Sequence, residues 1–329
     1  MALLEQLEMA NSSASDSKLV SILINSYNYG SFLRDAIESA LAQTYPHCET
    51  IVVDDGSTDG SQAIIRSYGD RIIPVFKKNG GQASAFNAGF ERASGDIICF
   101  LDSDDTFRAH KAQRIVDLFE TLADAPEEIG WCFHPIERVN SELKPLHWDE
   151  SRWGKEGIYD LRSRLARGKL GNATPFDCLV TSGMCFTKVM LSQLLPMPIE
   201  IRITSDDYLK YAALGTSSGY MLMEKLACQR LHGDNAYTGR SEKQALQGKI
   251  MLQTAYFLKR DFPEIGAFAD NLYALGLVKR SKDSLEHCAG DSEKELALDQ
   301  LVRDYANRLS PLTALKLSAK KTYYRYRAK

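Results

Sequence analysis

Between residues 19 and 135, short apolar runs alternate with segments whose apolar positions recur every three or four residues. Leu19–Ile24, Thr50–Val53, Ile72–Phe76, Ile97–Leu101 and Ile129–Phe133 are short, nearly continuous apolar runs and read as buried strands. Between the first two, Ser31–Gln43 places Phe32, Ala36, Ile37, Ala40 and Leu41 at helical spacing. Ser57–Tyr68, Gln82–Ala93 and Ala109–Ala123 also read as helices. Ser57 or Thr58 stands near the cap of the first, and Gly80 and Gly81 lead into the second. This alternation predicts an α/β fold: a mostly parallel, Rossmann-like sheet with helices on both faces.

Residues 136–240 are less regular and hold Trp148, Trp153 and the segment Thr181–Met184. Beyond them, Glu242–Arg260, Pro263–Lys279 and Glu293–Leu309 read as helices, before a basic and aromatic stretch, Leu315–Lys329. The first 17 residues contain Glu5, Glu8 and the polar run Asn11–Ser15, with no basic start and no long apolar core. They read as a flexible leader and not as a signal peptide. No window is apolar for long enough to span a membrane. A cytoplasmic protein is the expectation, with peripheral attachment at the inner face of the membrane as its variant.

The chain of 329 residues, 44% hydrophobic and 25% charged, has material for one large domain or two ordinary ones. Its net charge of -3 gives no reason to expect a nucleic-acid partner. The cysteines at 48, 99, 132, 178, 185, 228 and 288 form no paired or zinc-site spacing, which argues for a reducing compartment. Cys99 and Cys132 lie within apolar runs and read as small buried hydrophobes.

Ligands of open α/β sheets bind beyond the carboxyl ends of the strands. The unusual polar residues fall there: Asn25–Asn28 after the first strand, Asp54–Ser57 after the second and Asp102–Asp105 after the fourth. Asp102 and Asp104, one residue apart at a strand end, can reach one hard cation such as magnesium or manganese, which readily keeps phosphate oxygens in its shell. An acidic turn capping a helix is the other reading. Asp54 and Asp55 can accept hydrogen bonds from a ribose or a base, or can simply form a turn. Asn79–Gln82 lets the backbone approach a ligand at a helix N-terminus, or is a plain connecting loop.

In order and in register, these segments resemble the catalytic domain of glycosyltransferase family 2, of the GT-A fold. Val20–Asn28, Ala40–Tyr45, Ile51–Asp59, Asn79–Ser84 with Asn87–Gly89, and Gly95–Asp105 carry the likeness, which is close over 18–120 and looser to about 240. The resemblance implies inverting transfer of a hexosyl or N-acetylhexosaminyl group to a hydroxyl of a glycan or lipid-linked acceptor, in cell-surface polysaccharide biosynthesis. It implies a nucleoside-diphosphate sugar donor, by default a UDP-sugar, and Mn2+ or Mg2+ as cofactor. It divides the chain into the leader 1–17, a catalytic domain 18–240 and a helical region 241–329 with a basic tail. Within the catalytic domain, 18–125 would bind the nucleotide sugar and 126–240 would face the acceptor.

Carried over residue by residue, Tyr27 and Asp55 look like the nucleobase contacts, with Ser26 alongside. Asn28, Asp54, Gly81, Gln82, Asn87 and Ser103 complete the donor-binding set that the resemblance implies. Asp102 looks like the ribose-side or metal-side carboxylate and Asp104 like the direct metal ligand. Asn25 stands where the family usually has proline, a departure expected to leave the backbone path of the pocket intact.

On the acceptor side the family uses a carboxylate as general base, often in an acidic pair opening a helix. Asp206 aligns best with it, Asp207 is the fallback, and helix capping is the other reading of both. Arg230–Asn235 resembles an Arg-x-His-x-x-Asn segment of single-addition members, so that His232 either completes the metal shell or is structural. The Gln-x-x-Arg-Trp motif of processive members is absent, which implies one sugar per encounter. The tail carries Lys316, Lys320, Lys321, Arg325, Arg327 and Lys329 with Tyr323, Tyr324 and Tyr326. That mixture suits an anionic membrane surface, a solvated helix or RNA. The helical C-terminal region can also supply an oligomer interface. Two rivals stand beside the transferase: a nucleotidyltransferase, which needs a Gly-rich signature and basic residues in the loop after the first strand, where Asn25–Gly30 holds no lysine or arginine and none follows until Arg34, and a non-catalytic nucleotide-sugar scaffold, which predicts loss of the metal carboxylates.

Overall fold

At the centre of the parallel first half of the sheet, two neighbouring strands are buried on both faces, and the sequence supplies an apolar side chain to each face in alternation. β1 (Val20–Ser26) turns Ile22 and Ile24 to one side and Leu23 to the other. β4 (Ile97–Asp102) does the same with Cys99 and Leu101 against Ile98 and Phe100. This is why both runs are continuous and not alternating. The computed structural model describes residues 17–148, 154–169, 179–233, 235, 243–283 and 292–327. The expected leader up to residue 16, Trp153, Cys178, Asp234, Glu242, Cys288 and Lys329 lie outside the described residues.

The chain runs β1, α1 (Gly30–Leu41), β2 (Cys48–Asp54), α2 (Ser61–Ser67), β3 (Ile73–Phe76), α3 (Gln82–Arg92) and β4. It continues through β5 (Thr106–Phe107), α4 (Lys111–Thr121), β6 (Ile129–Phe133), β7 (Glu137–Val139), β8 (Gly157–Tyr159), α5 (Arg162–Ala166), β9 (Met184–Thr187) and α6 (Lys188–Leu191). Then come α7 (Asp206–Thr216), β10 (Ser218–Met221), β11 (Ala227–Arg230), α8 (Lys243–Asp261), α9 (Gly266–Asp283), α10 (Ser292–Asn307) and α11 (Pro311–Arg327).

Among the described residues the main sheet has the order β3-β2-β1-β4-β9-β6-β10-β8, and β5-β11-β7 form a small second sheet. β3-β2-β1-β4 form a parallel core, in keeping with the mostly parallel sheet expected. Beyond it the order departs from a simple parallel series. β6 does not lie beside β4, because β9 inserts between them and is antiparallel to both. Helix α2 begins at Ser61, four residues after the expected cap. The N–H of Ser57 goes to Asp54 (3.1 Å) and that of Thr58 to Asn28 (2.8 Å), which holds this stretch as a loop.

One face of the sheet is covered by α1, with Leu33, Ala36 and Ile37, and by α4, with Ile115 and Val116. On the other face α3 presents Ala83 and Phe86, and α7 presents Leu209 and Ala212. Leu252 and Leu258 of α8, Phe268 and Leu272 of α9, and Tyr305 of α10 join that same cluster. The C-terminal helices therefore share a core with the sheet. Cys99, Cys132 and Cys185 are buried free thiols packed as small apolar groups. Among the described residues no helix is long and apolar enough to cross a membrane.

Candidate functional site

Parallel pairing in register brings three chemically different segments to one rim. Asn25 of β1 lies opposite Val53 on one side and Asp102 on the other, so β1, β2 and β4 end together. Ser26, Tyr27, Asp55, Asp102, Ser103 and Asp104 consequently line one cavity of about 370 Å³. Tyr27 is 45% exposed there, leaving a flat aromatic face available at the opening.

The Asp55 carboxylate is nearly covered and anchors the glycine loop. It accepts from the backbone N–H of Gly80 (2.9 Å) and of Gly81 (2.7 Å), and pairs with Lys77. Those two N–H groups are thus directed at Asp55, while Asn79, Gly81 and Gln82 of the same loop border the cavity. Gly81 has φ +87, and a Cβ on it would come within 2.7 Å of the Arg202 Cα. Its lack of a side chain admits the Arg202–Thr204 segment as the far wall of the cavity.

Asp102 and Asp104 occupy different surroundings. Asp102 Oδ1 accepts from Asn25 Nδ2 at 3.1 Å and faces Gln82 Nε2 at 3.4 Å. Asn25, at the position where proline was the expectation, thereby adds a side-chain hydrogen bond to the site. Burial, reinforced by the neighbouring charges of Asp104 and Asp206, pushes the Asp102 carboxyl up to about 7. Asp104 Oδ2 lies 3.0 Å from Asn235 Nδ2 and 3.1 Å from His232 Nε2. The His232 ring packs on Phe32 with centroids 4.3 Å apart. Asp105, also at the cavity, accepts from Ser182 Oγ (2.6 Å) and the Arg230 N–H (2.9 Å), and so ties the turn before β9 and strand β11 to the end of β4.

The far wall of the cavity continues into α7. Thr204 takes a left-handed backbone, φ +52, just before the helix begins at Asp206. Gln82 Oε1 accepts from the Ser205 N–H at 2.8 Å, and the Gln82 N–H donates to the Arg202 carbonyl at 2.9 Å. Asp206 lines the cavity. Burial first, and the charge of Asp207 second, push its carboxyl up to about 7.

A divalent cation is consistent with this chemistry. Among the described residues no group of three His, Cys, Asp or Glu side chains is assembled as a metal site. Asp102 and Asp104 are instead two hard oxygen donors in an acidic, partly desolvated cavity that also holds Asp206. Magnesium and manganese suit a site of few protein carboxylates, with phosphate and water completing the shell.

Five expected site residues stand outside the cavity lining. Asn28 accepts from the Thr58 N–H and fixes the loop after β2. Asp54 is fully buried and holds Ser57 and Gln62. Asn87 clasps the backbone of Met197 through both ends of its amide, each at 2.8 Å. Asp207 pairs with Lys210, one turn along α7. His232 stands behind Asp104. All five hold their neighbours in place through at least one hydrogen bond or ion pair within the protein. Conversely, Arg202 and Thr204 line the cavity without having been singled out from the sequence, and Thr181 does so although its segment was noted without a role in the site. None belongs to a local motif, and each arrives through a contact distant along the chain.

Comparison with known proteins agrees with this architecture. The profile described as "Glycosyl transferase family 2" matches residues 21–180. An uncharacterized glycosyltransferase of Nostoc sp. is 36% identical over 235 residues, covering 69% of this chain and 70% of the relative. One from Rickettsia typhi is 33% identical, covering 66% of this chain and 65% of its own. The putative teichuronic acid biosynthesis glycosyltransferase TuaG of Bacillus subtilis is 42% identical over 142 residues, 40% of this chain and 56% of that one. Among solved structures, residues 1–349 of S. aureus TarS in complex with UDP-GlcNAc superpose with a TM-score of 0.60 at 15% identity, covering 93% of this chain and 89% of that one. The fold is therefore GT-A. With the strand-end carboxylates gathered in one cavity and relatives alike over two thirds of its length, the chain belongs to glycosyltransferase family 2, and is a glycosyltransferase.

Proposed function

We propose that this enzyme transfers a sugar, with inversion, from a UDP-sugar to a hydroxyl of a glycan or lipid-linked acceptor in cell-surface polysaccharide biosynthesis. The observation that carries the reading is the convergence of Asp55, Asp102, Asp104 and Asp206 with Tyr27 on one cavity. Residues 18–240 form the catalytic unit in this reading, and the helices beyond 241 support its acceptor-side face. TarS, solved with UDP and with UDP-GlcNAc, supports a nucleotide-sugar donor. TuaG, named for teichuronic acid biosynthesis, supports a surface polysaccharide as the product.

Tyr27 offers a stacking face for the base. Among the described residues Asp55 Oδ2 accepts only from the Gly81 N–H, and a second lone pair can receive a base N–H. Mn2+ or Mg2+, held by Asp102 and Asp104, would supply positive charge beside the departing diphosphate. Asp206 takes the proton of the acceptor hydroxyl. The acceptor oxygen bonds to the anomeric carbon from the face opposite the nucleotide. The bond from that carbon to the diphosphate oxygen breaks, its electron pair leaving with the nucleoside diphosphate. His232 and Asn235 hold Asp104 in position.

A transfer assay with purified protein, manganese and a panel of UDP-, GDP- and dTDP-sugars tests this. Asp104→Ala is expected to abolish transfer. Turnover near the wild-type level in that variant overturns the assignment, and a donor other than a UDP-sugar corrects the nucleotide.

A further inference from the structure

Helix α11 carries two apolar faces. The inner one places Leu317, 8% exposed, and Tyr324 against the core shared by α9 and α10, with Lys320 donating to Asn271 of α9. The outer one is a stripe. Leu312, Leu315, Ala319, Tyr323 and Tyr326 succeed one another at steps of three or four residues, which aligns them along one side of the helix. All five are exposed: Leu312 by 62%, Leu315 by 69%, Tyr323 by 52% and Tyr326 by 81%. At 1.5 Å per residue the stripe is roughly 20 Å long. Two leucines so placed cost hydrophobic free energy in water, and neither joins a core cluster among the described residues.

The charge around the stripe says what covers it. From Tyr305 to the last residue the sequence has no Asp or Glu, and it carries Arg308, Lys316, Lys320, Lys321, Arg325, Arg327 and Lys329, although the chain as a whole is net -3. Lys316 is exposed beside the stripe. A second copy of this helix would bring lysine against lysine with no carboxylate on either to pair with. An anionic lipid surface meets every element at once. The leucines enter the acyl boundary, the tyrosines sit at the headgroup level and the lysines meet the lipid phosphates.

We propose that α11 is an interfacial helix that docks the protein on an anionic bilayer, lying in the plane of the surface with Leu312, Leu315 and Tyr326 inserted. The proposal stands on the helix itself and is independent of the sugar-transfer reading.

Co-sedimentation of the full chain with vesicles tests it. Binding is expected to vesicles of phosphatidylcholine with phosphatidylglycerol, to weaken with salt, and to be much weaker with phosphatidylcholine alone. The triple variant Leu312→Ser, Leu315→Ser, Tyr326→Ser is expected to lose about tenfold or more of the partitioning, because it removes the inserted side chains. Lys316→Glu with Lys321→Glu is expected to weaken binding to the anionic vesicles selectively. The charge variant keeps the test decisive if the triple variant does not fold. Equal binding to both vesicle types, or undiminished binding by a folded triple variant, overturns the proposal. So does a dimer, seen by analytical ultracentrifugation and abolished by the triple variant, in a protein that ignores vesicles.

Discussion

The side-chain carbonyl of Gln82 accepts a 2.8 Å hydrogen bond from the backbone N–H of Ser205, the residue directly before Asp206. The amide nitrogen of the same side chain faces Asp102 Oδ1 at 3.4 Å and Thr181 Oγ1 at 3.5 Å. One carboxamide therefore links the donor-side carboxylate to the start of the helix that carries the candidate base. Gln82→Ala leaves the Ser205 N–H without its acceptor, which costs about 1–3 kcal/mol if the group stays buried. It also frees the first turn of α7 to move. The expected result is a kcat lowered by roughly tenfold to a hundredfold, because small displacements of reacting groups are expensive. UDP affinity, measured by calorimetry, is expected to change less. An unaltered kcat would separate the two walls of the cavity.

Asp206 and Asp207 are adjacent in sequence but differ in position. Asp206 lines the cavity, whereas Asp207 is paired with Lys210. Asp206→Asn is expected to slow transfer by about 10²–10⁴, the usual worth of a general base, with UDP binding preserved. Asp207→Asn is expected to stay within a few-fold of wild type. Single-turnover rates on both variants check this, and the reverse ranking would move the base to Asp207.

The raised carboxyls predict how stability depends on pH. Asp102 and Asp206 both titrate near 7 in the folded protein, against the ordinary carboxylate value of 3.8 that applies on unfolding. Between those values the folded state holds protons that the unfolded state has released. Stability from these two groups is therefore greatest below about pH 4 and falls as pH rises toward 7. Added manganese should offset that loss, and should raise the melting temperature more at pH 8 than at pH 5. Thermal melts across this range with and without manganese provide the check. A manganese effect independent of pH would show that the cation does not bind Asp102.

Gly219 of β10 lies against the indole of Trp131 on the neighbouring strand β6. A Cβ at 219 would come within 1.9 Å of that ring. Trp131 is fully buried and stacked on Phe133 at 4.4 Å, so it has little room to yield. Gly219→Ala is expected to destabilise the fold by about 1–3 kcal/mol through overpacking. The midpoint of urea unfolding measures it. A midpoint equal to wild type would mean that β6 and β10 can separate locally without penalty.

Much of the donor side was legible in the sequence because its determinants are local. The apolar runs of β1, β2 and β4 are written in consecutive residues, and each is followed at once by its polar segment. Parallel register then carries Tyr27, Asp55, Asp102 and Asp104 to the same rim. Periodicity also placed α1, α3 and α4 and the apolar burial of Cys99 and Cys132. The remainder was decided by contacts between distant parts of the chain. Nothing near β6 announces that β9, some fifty residues later, will insert beside it. Nothing near Gln82 announces Ser205, 123 positions away. Nor do Asn28, Asp54 and Asn87 differ in kind from the polar residues that do reach the cavity. The family resemblance made them candidates, and the direction of each side chain, set by its nearest hydrogen-bonding partner, placed them outside it. A strand's local pattern determines which residues face the core, but which polar groups converge beyond its end depends on how separate elements pack, and that is a property of the tertiary structure.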